Sequence, residues 1–178
     1  MPATIYVMEA ANLFCGDHDP TASKHLTLEE LQLPNLTEMY QDHHPGGSRV
    51  GIEIATGIEK LEPTFKLAGW DPDLLTQFGL HARQNNVFTA YGSIRDKRSG
   101  VALEAKAIIH GRLGSIEPET FQRGEMMGHD YAIHEVLHYE LWFDGQEKWY
   151  WDFWSNTLRM GGTSQTADEN SILRIPGA

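Results

Sequence analysis

The sequence predicts a mainly β, antiparallel fold with one short α-helix, and three observations carry that expectation. Residues 131–143 alternate apolar and polar side chains with period two. Turn chemistry joins two pairs of apolar, β-prone runs into hairpins. Asp71-Pro72-Asp73 offers one helix start.

Taken in order, Thr4-Ile5-Tyr6-Val7-Met8 and Asn12-Leu13-Phe14 make an apolar opening strand. The turn cluster Cys15-Gly16-Asp17-His18-Asp19-Pro20 stops it. Leu26, Leu28, Leu31 and Leu33 follow, with an alternation that slips one residue at Glu29-Glu30, as at a β-bulge or a strand end. Residues 34–51 lose periodicity and form a long polar loop around His43-His44-Pro45-Gly46-Gly47. A structureless stretch of that length in a compact domain is usually functional or disordered. Strand character returns over 52–67. Asp71 then caps a helix with Pro72 at its first position; Leu74, Leu75 and Phe78 are expected to line one side before Gly79 stops it.

Residues 87–94 and 101–109 form the next hairpin, joined by the polar segment 95–100. In the last hairpin the odd positions from 131 to 143 read Tyr, Ile, Glu, Leu, Tyr, Leu, Phe. Six of those seven are apolar, which marks one buried face. Asp144-Gly145 supplies the turn, and Trp149, Trp151 and Phe153 continue an odd stripe on the return strand. A plain two-residue turn would put the two stripes on opposite faces, so a shared face demands an odd loop or a bulge. The sum is about seven strands in a sandwich or a barrel.

At 178 residues the chain fits a single domain, 1–178, with end segments of about 1–11 and 161–178 expected to be flexible or arm-like. Its net charge of -11 argues against gripping nucleic-acid phosphates, which takes a basic face. Cys15 is the sole cysteine, so no intrachain disulfide and no cysteine-based zinc cluster can form. The start lacks a basic segment, and Glu9 and Asn12 break its apolar stretch. No signal peptide is expected, no run is long enough to span a bilayer, and a soluble product made in the cytoplasm follows.

His134-Glu135-Val136-Leu137-His138 matches the zinc-peptidase pattern H-E-x-x-H. That chemistry needs a helix, where the two histidines share a face and one metal. On a strand four residues span about 13 Å, whereas each zinc ligand sits about 2.1 Å from the metal. With nine histidines in the chain, a chance match is unsurprising. Neither a nucleophile elbow nor a phosphate loop is present, and Gly111-Arg112-Leu113-Gly114 is too short and strand-like to be one. His43-His44 reads better as a solvated loop pair than as metal ligands. The cluster of Trp142, Trp149, Tyr150, Trp151, Phe153 and Trp154 could stack sugars, and the acidic Asp144, Glu147 and Asp152 disfavour bases there. Core packing plus a protein interface is its commoner use, with Trp142, Tyr150 and Trp154 pointing outward if the odd residues face the core.

The order of these segments, from about residue 12 to 160, resembles the major tail tube proteins of contractile-tailed bacteriophages. Asn12-Leu13-Phe14 with Gly16, Leu33-Pro34-Asn35-Leu36-Thr37, Gly46-Gly47, and Leu67-Ala68-Gly69-Trp70-Asp71-Pro72-Asp73 carry the resemblance. So do the hairpin ending at His110-Gly111-Arg112 and the closing hairpin around Phe143-Asp144-Gly145. Each match is weak alone; six in order are more specific. The chain departs from the pattern in its helix and in its tryptophan-rich final strand.

The resemblance implies a β-sandwich or barrel-like tail tube fold, hexameric rings stacked into a tube, and DNA passing through the lumen. It implies as partners the chain itself, a tail sheath, baseplate and tail terminator proteins, and a tape measure protein, with no cofactor and no enzymatic activity. It places the protein in the virion tail, assembled in the host bacterial cytoplasm. The loop residues Leu36, Thr37, Tyr40, His43, His44, Gly46 and Gly47 are then expected to pack against the next ring, and Glu53, Glu59, Glu62 and Glu104 to line the lumen. A tailocin tube or the tube of a type VI-like system shares this architecture. A zinc metallopeptidase and a sugar-binding β-sandwich are the rivals of another class.

Overall fold

The computed structural model describes residues 3–16, 18–79 and 85–175. Asp17 of the expected turn cluster and the outermost residues of both end segments lie outside them. In chain order the elements are β1 (Tyr6–Cys15), β2 (Leu28–Gln32), β3 (Glu38–His43), β4 (Ile52–Ile58), β5 (Thr64–Ala68), α1 (Pro72–Thr76), β6 (Asn86–Asp96), β7 (Ala102–Pro118), β8 (Gly128–Phe143), β9 (Gln146–Asp152), β10 (Thr157–Met160), β11 (Thr163–Ser164) and α2 (Ala167–Leu173). Eleven strands and two α-helices thus stand among the described residues, where about seven and one were expected. Residues 6–11 belong to β1, and the segment from 161 carries β11 and α2. No helix among the described residues is long and apolar enough to cross a membrane.

All strand pairs are antiparallel. One sheet runs β1-β6-β7-β8-β9-β10-β11, and a branch leaves it at β8. The first part of β8 pairs with β5, which pairs in turn with β2, while its second part, from His138, pairs with β9. The segment entering β2 comes back beside β1, where the Lys24 N–H donates to the Leu13 carbonyl at 3.0 Å. The sheet therefore curls around one core. Leu13, Phe65, Leu67, Leu74, Phe88, Ile109, Tyr131 and Tyr139 are each at most 2% exposed there. Phe65 and Tyr131, opposite each other on β5 and β8, stack with centroids 4.9 Å apart. Burial pushes the Tyr139 phenol and the Cys15 thiol each up to about 12, so the lone cysteine is an inert core residue.

Three irregularities keep the apolar stripes on the core side. Leu28 pairs with Leu67 and Glu30 with Lys66, so Glu29 is the extra residue of a bulge, where the alternation slips. At the last hairpin Asp144 (φ 49) and Gly145 (φ 70) form the two-residue turn. Trp142 pairs with Glu147 but Leu141 with Trp149, which leaves Lys148 as a bulge and returns Trp149 and Trp151 to the side of Leu141 and Tyr139. This bulge meets the condition set by the two odd stripes. In β8, His134 and His138 flank three residues that face only Gly111 of β7, and Glu135 takes φ 50. The surplus of two preserves the parity of the stripe, yet expels Glu135 to the surface. A Cβ on Gly111 would sit 2.7 Å from Ile133 Cγ2 and 3.0 Å from the His134 carbonyl oxygen, so only glycine fits opposite the bulge.

Other expectations need correction. Residues 34–51 are not structureless, since β3 occupies 38–43 and pairs with β4 in a separate two-stranded sheet. Helix α1 starts as expected, with the Asp71 carboxylate accepting from the Leu74 N–H at 3.2 Å. It ends after five residues, too few for a lined side, so only Leu74 is buried while Leu75 and Phe78 are exposed. Leu26 lies in a turn and is exposed, and Phe153 falls beyond the end of β9 and leaves the stripe. Helix α2 is anchored by the buried Asn170, whose side chain exchanges hydrogen bonds with the Asn156 carbonyl (2.9 Å) and side chain (2.7 Å).

Two outcomes follow from these contacts. Leu74→Ala should cost roughly 2–5 kcal/mol in urea unfolding, as for other fully buried leucines, and Leu75→Ala about 0.5 kcal/mol or less. In the β6–β7 turn the Asp96 carboxylate accepts from the Thr4 and Ser99 hydroxyls and the Arg98 N–H, which lowers it from 3.8 to about 2. A depressed carboxylate stabilises the fold above its ordinary value, and that contribution vanishes as pH falls from about 4 toward 2. Unfolding midpoints of Asp96→Asn should therefore lack the part of the acid-induced decline that wild type shows in that window.

Candidate assembly surfaces

The β3–β4 hairpin is an arm. All six residues of β3 and six of the seven in β4 are exposed, and neither strand pairs with the main sheet. At its root the Glu59 N–H donates to the Thr37 carbonyl at 2.9 Å. Cross-strand pairs share a side of a hairpin, and here the two sides differ in chemistry. Tyr40 faces Ala55 and Asp42 faces Glu53, while the Tyr40 hydroxyl donates to the Glu38 carboxylate, so one side is acidic. Gln41 faces Ile54 and His43 faces Ile52, and Met39 shares their side of β3, so the other is largely apolar. Its extra residue is Thr56 of β4, which leaves the alternation along β3 intact. The hydrogen bond and charge of Glu38, with the charge of Glu53 behind them, push the Tyr40 phenol above its ordinary value.

The expected loop residues are thereby placed. Tyr40 and His43 lie on β3, Leu36 and Thr37 lead into it, and His44, Gly46 and Gly47 form the tip. The tip closes on itself: a Cβ on Gly51 would lie 2.5 Å from His44 Nε2, and the Ser48 N–H donates to the Pro45 carbonyl at 3.1 Å. The four acids are not gathered on one element. Glu53 is on the arm, Glu59 follows it, Glu62 is paired with Lys60 at 2.6 Å, and Glu104 stands on β7 opposite Ser93.

Of the three aromatics expected to point outward, only Trp154 is open, at 74% exposure. Trp142 and Tyr150 are half-buried in a polar ladder across β7 to β10. Trp142 Nε1 donates to Glu140 at 2.7 Å, and the Arg159 guanidinium lies 3.6 Å over the Tyr150 ring while donating to Glu147 through Nε and Nη2, at 3.0 and 2.7 Å. His138 sits between Asp152 (3.1 Å) and Glu140 (2.9 Å), with His110 against its ring at 4.5 Å. Burial, then the neighbouring His138, holds His110 below its ordinary value, and Arg159 does the same to Glu147. The sequence signal for this ladder was the alternation Glu140-x-Trp142 against Tyr150-x-Asp152, legible only once the register is known.

His134-Glu135-Val136-Leu137-His138 lies on β8 and not on a helix. His134 is half-exposed, with Nδ1 3.8 Å from Glu62, whereas His138 is committed to the ladder. The geometric premise of the zinc site is absent from the motif itself. A groove of about 620 Å³ at the root of the arm, walled by Ile58, Val136, Trp149, Trp151 and Leu158, was not foreseen, because it exists only where arm and sheet meet.

No curated protein matches the chain. Among solved structures, a chain of an extracellular contractile injection system, the PVC sheath–tube complex in its extended state, aligns with TM-score 0.51 and 9% identity, over 71% of this chain and 86% of that one. A chain of the sheath/tube terminator of the same system gives 0.51 and 8%, over 70% and 87%. A chain of the anti-feeding prophage baseplate gives 0.56 and 9%, over 80% and 96%. At such identities the likeness is one of fold. The family model of phage tail tube protein FII matches residues 9–173. That match spans nearly the whole chain, which therefore belongs to the phage tail tube protein FII family.

Proposed function

We propose that the chain is a single structural domain that assembles with its own copies into hexameric rings, and that stacked rings form a tail tube through which DNA is ejected. The observation that carries this reading is the arm. A lone two-stranded hairpin is at best marginally stable, and this one exposes Met39, Ile52 and Ile54 on one side, uncovered by any other described element. Cover from another copy supplies what is missing. Leu36, Thr37, Tyr40, His43, His44, Gly46 and Gly47 would then lie at the contact between rings. The outer edges of β1 before Leu13 and of β11, which pair with no strand among the described residues, support lateral pairing in a ring, since closure removes exposed edges.

Glu53 with Asp42 on the acidic side of the arm, together with Glu59, Glu62 and Glu104, would let phosphate-rich DNA slide without sticking. The partners are a sheath outside, baseplate and terminator proteins at the ends, and a tape measure protein and DNA inside, without cofactor or membrane. The similar chains come from a sheath–tube complex, a sheath/tube terminator and a baseplate symmetrised six-fold, which supports those partners and that number. The role is structural and not catalytic, in a virion tail put together in the host bacterial cytoplasm. A tube of a tailocin or type VI-like injection system is the second reading, favoured by those same neighbours; capsid and terminase genes beside the coding gene would decide for the phage.

Two experiments test the reading. Deleting residues 40–48 should leave the thermal unfolding of the monomer within a few degrees of wild type, yet abolish tubes in negative-stain images. Tubes of wild-type length from that variant would remove the arm from the contact. Reversing Glu53 and Glu104 to Lys should preserve tubes but reduce DNA ejection and infectivity, and unchanged infectivity would count against lumen lining.

A further inference from the structure

The arm and the opposite end of the molecule are chemically matched. Strand β5 runs from Thr64, opposite Ala132, to Ala68, opposite Gly128. Backwards from Thr64, the chain passes Leu61 and Ile58, which flank Val136 and Trp149 further along the sheet, and enters the arm. The arm thus leaves the body on the side away from the β5–α1 junction and the β7–β8 connection.

At that far end three large apolar side chains stand in solvent: Trp70 at 64% exposure, Phe121 at 75% and Met126 at 76%. They belong to two connections tied into one surface. The Gly69 N–H donates to the Met127 carbonyl at 2.7 Å, Glu119 accepts from the Gly128 N–H at 2.8 Å, and Trp70 packs edge-on against His129 at 4.7 Å. Neither a strand nor a helix among the described residues lies over them, and an exposed apolar patch of this kind marks a contact.

Charge points the same way. The arm tip, residues 43–51, contains Arg49, His43 and His44 and no acid, while residues 117–126 hold Glu117, Glu119 and Glu125 against Arg123; Lys66 already pairs with Glu119 at 2.5 Å, which leaves Glu117 and Glu125 to meet the arm.

We infer that Trp70, Phe121 and Met126 form the surface that receives the arm of a second copy, with Met39, Ile52 and Ile54 laid on them and Arg49 among the loop glutamates. This rests on the arm being a contact between copies, and adds which surface of the neighbour it meets. A contact between one end of a subunit and the opposite end of the next is heterologous, so it propagates into an open stack without closing on a pair.

Mixing full-length Ile54→Cys with full-length Phe121→Cys under assembly conditions and oxidising tests the pairing. Cys15, buried and held as a thiol, stays silent. A disulfide-linked two-chain species should form only when both variants are present, and not when Val101→Cys, which is exposed beside the β6–β7 turn, replaces Phe121→Cys. The double variant Phe121→Asp, Met126→Asp should keep wild-type thermal unfolding and lose stacking. Normal tubes from that variant, or tubes of the cysteine mixture with no such cross-link, would overturn the assignment of the receiving surface. If deletion of 40–48 abolishes tubes at the same time, the contact through the arm survives that result. A wild-type chain that stays monomeric at high concentration would overturn both.

Discussion

The pairing of β7 with β8 is the interaction on which the rest depends. These are the longest strands, 17 and 16 residues, and their ladder runs from Ala105–Phe143 to Pro118–His129. Because β8 is so long, its other edge can hold β5 and β9 one after the other. That arrangement lets one sheet serve two purposes. The β5–β2 branch curls back to seal the core with Phe65 and Leu67, while β9 and β10 carry the ladder of Tyr150, Asp152 and Arg159 on the other face. A break in the β7–β8 ladder would separate core from ladder, which is why its one large irregularity is compensated so closely by Gly111.

How much of this was legible in the sequence depended on where each element finds its stability. Strand β8 buries an apolar stripe within its own chain, and its alternation announced it. The bulges at Glu29 and Lys148 were legible as parity conflicts, and the cap of α1 as Asp71-Pro72. Strand β3 was not legible. It buries nothing against its own chain, so Glu38, Gln41, Asp42 and His43 leave no hydrophobic alternation to find. Helix α2 hides for a related reason: its anchor is the hydrogen-bonded Asn170, whereas periodicity detects apolar stripes. The pattern Thr166-x-x-Glu169 was the available signal for its start.

The candidate surfaces divide in the same way. Residues 34–51 read from the sequence as one polar stretch, and the strand within it and its two-sided character needed the register of β3 against β4. Trp142 and Tyr150 were assigned to the outer face by parity alone, which says nothing about cross-strand cover. Arg159 and Glu140 supply that cover, and they leave Trp142 and Tyr150 half-buried. The match of Trp70 with Phe121 and Met126 joins connections some fifty residues apart in sequence, which the Gly69–Met127 hydrogen bond and the Trp70–His129 contact bring into one surface.

Asp42 and Glu53 stand directly opposite each other on the arm, and like charges in that position weaken a hairpin by some tenths of a kcal/mol. In the tube proposed above, the consequence would be kinetic. A hairpin held at the margin of order gains its full structure only when a waiting surface covers it, so two free subunits make poor templates for each other. A completed layer presents many such surfaces at once. In that tube growth would outrun initiation, and the timing of the polymer would pass to whatever provides the first layer.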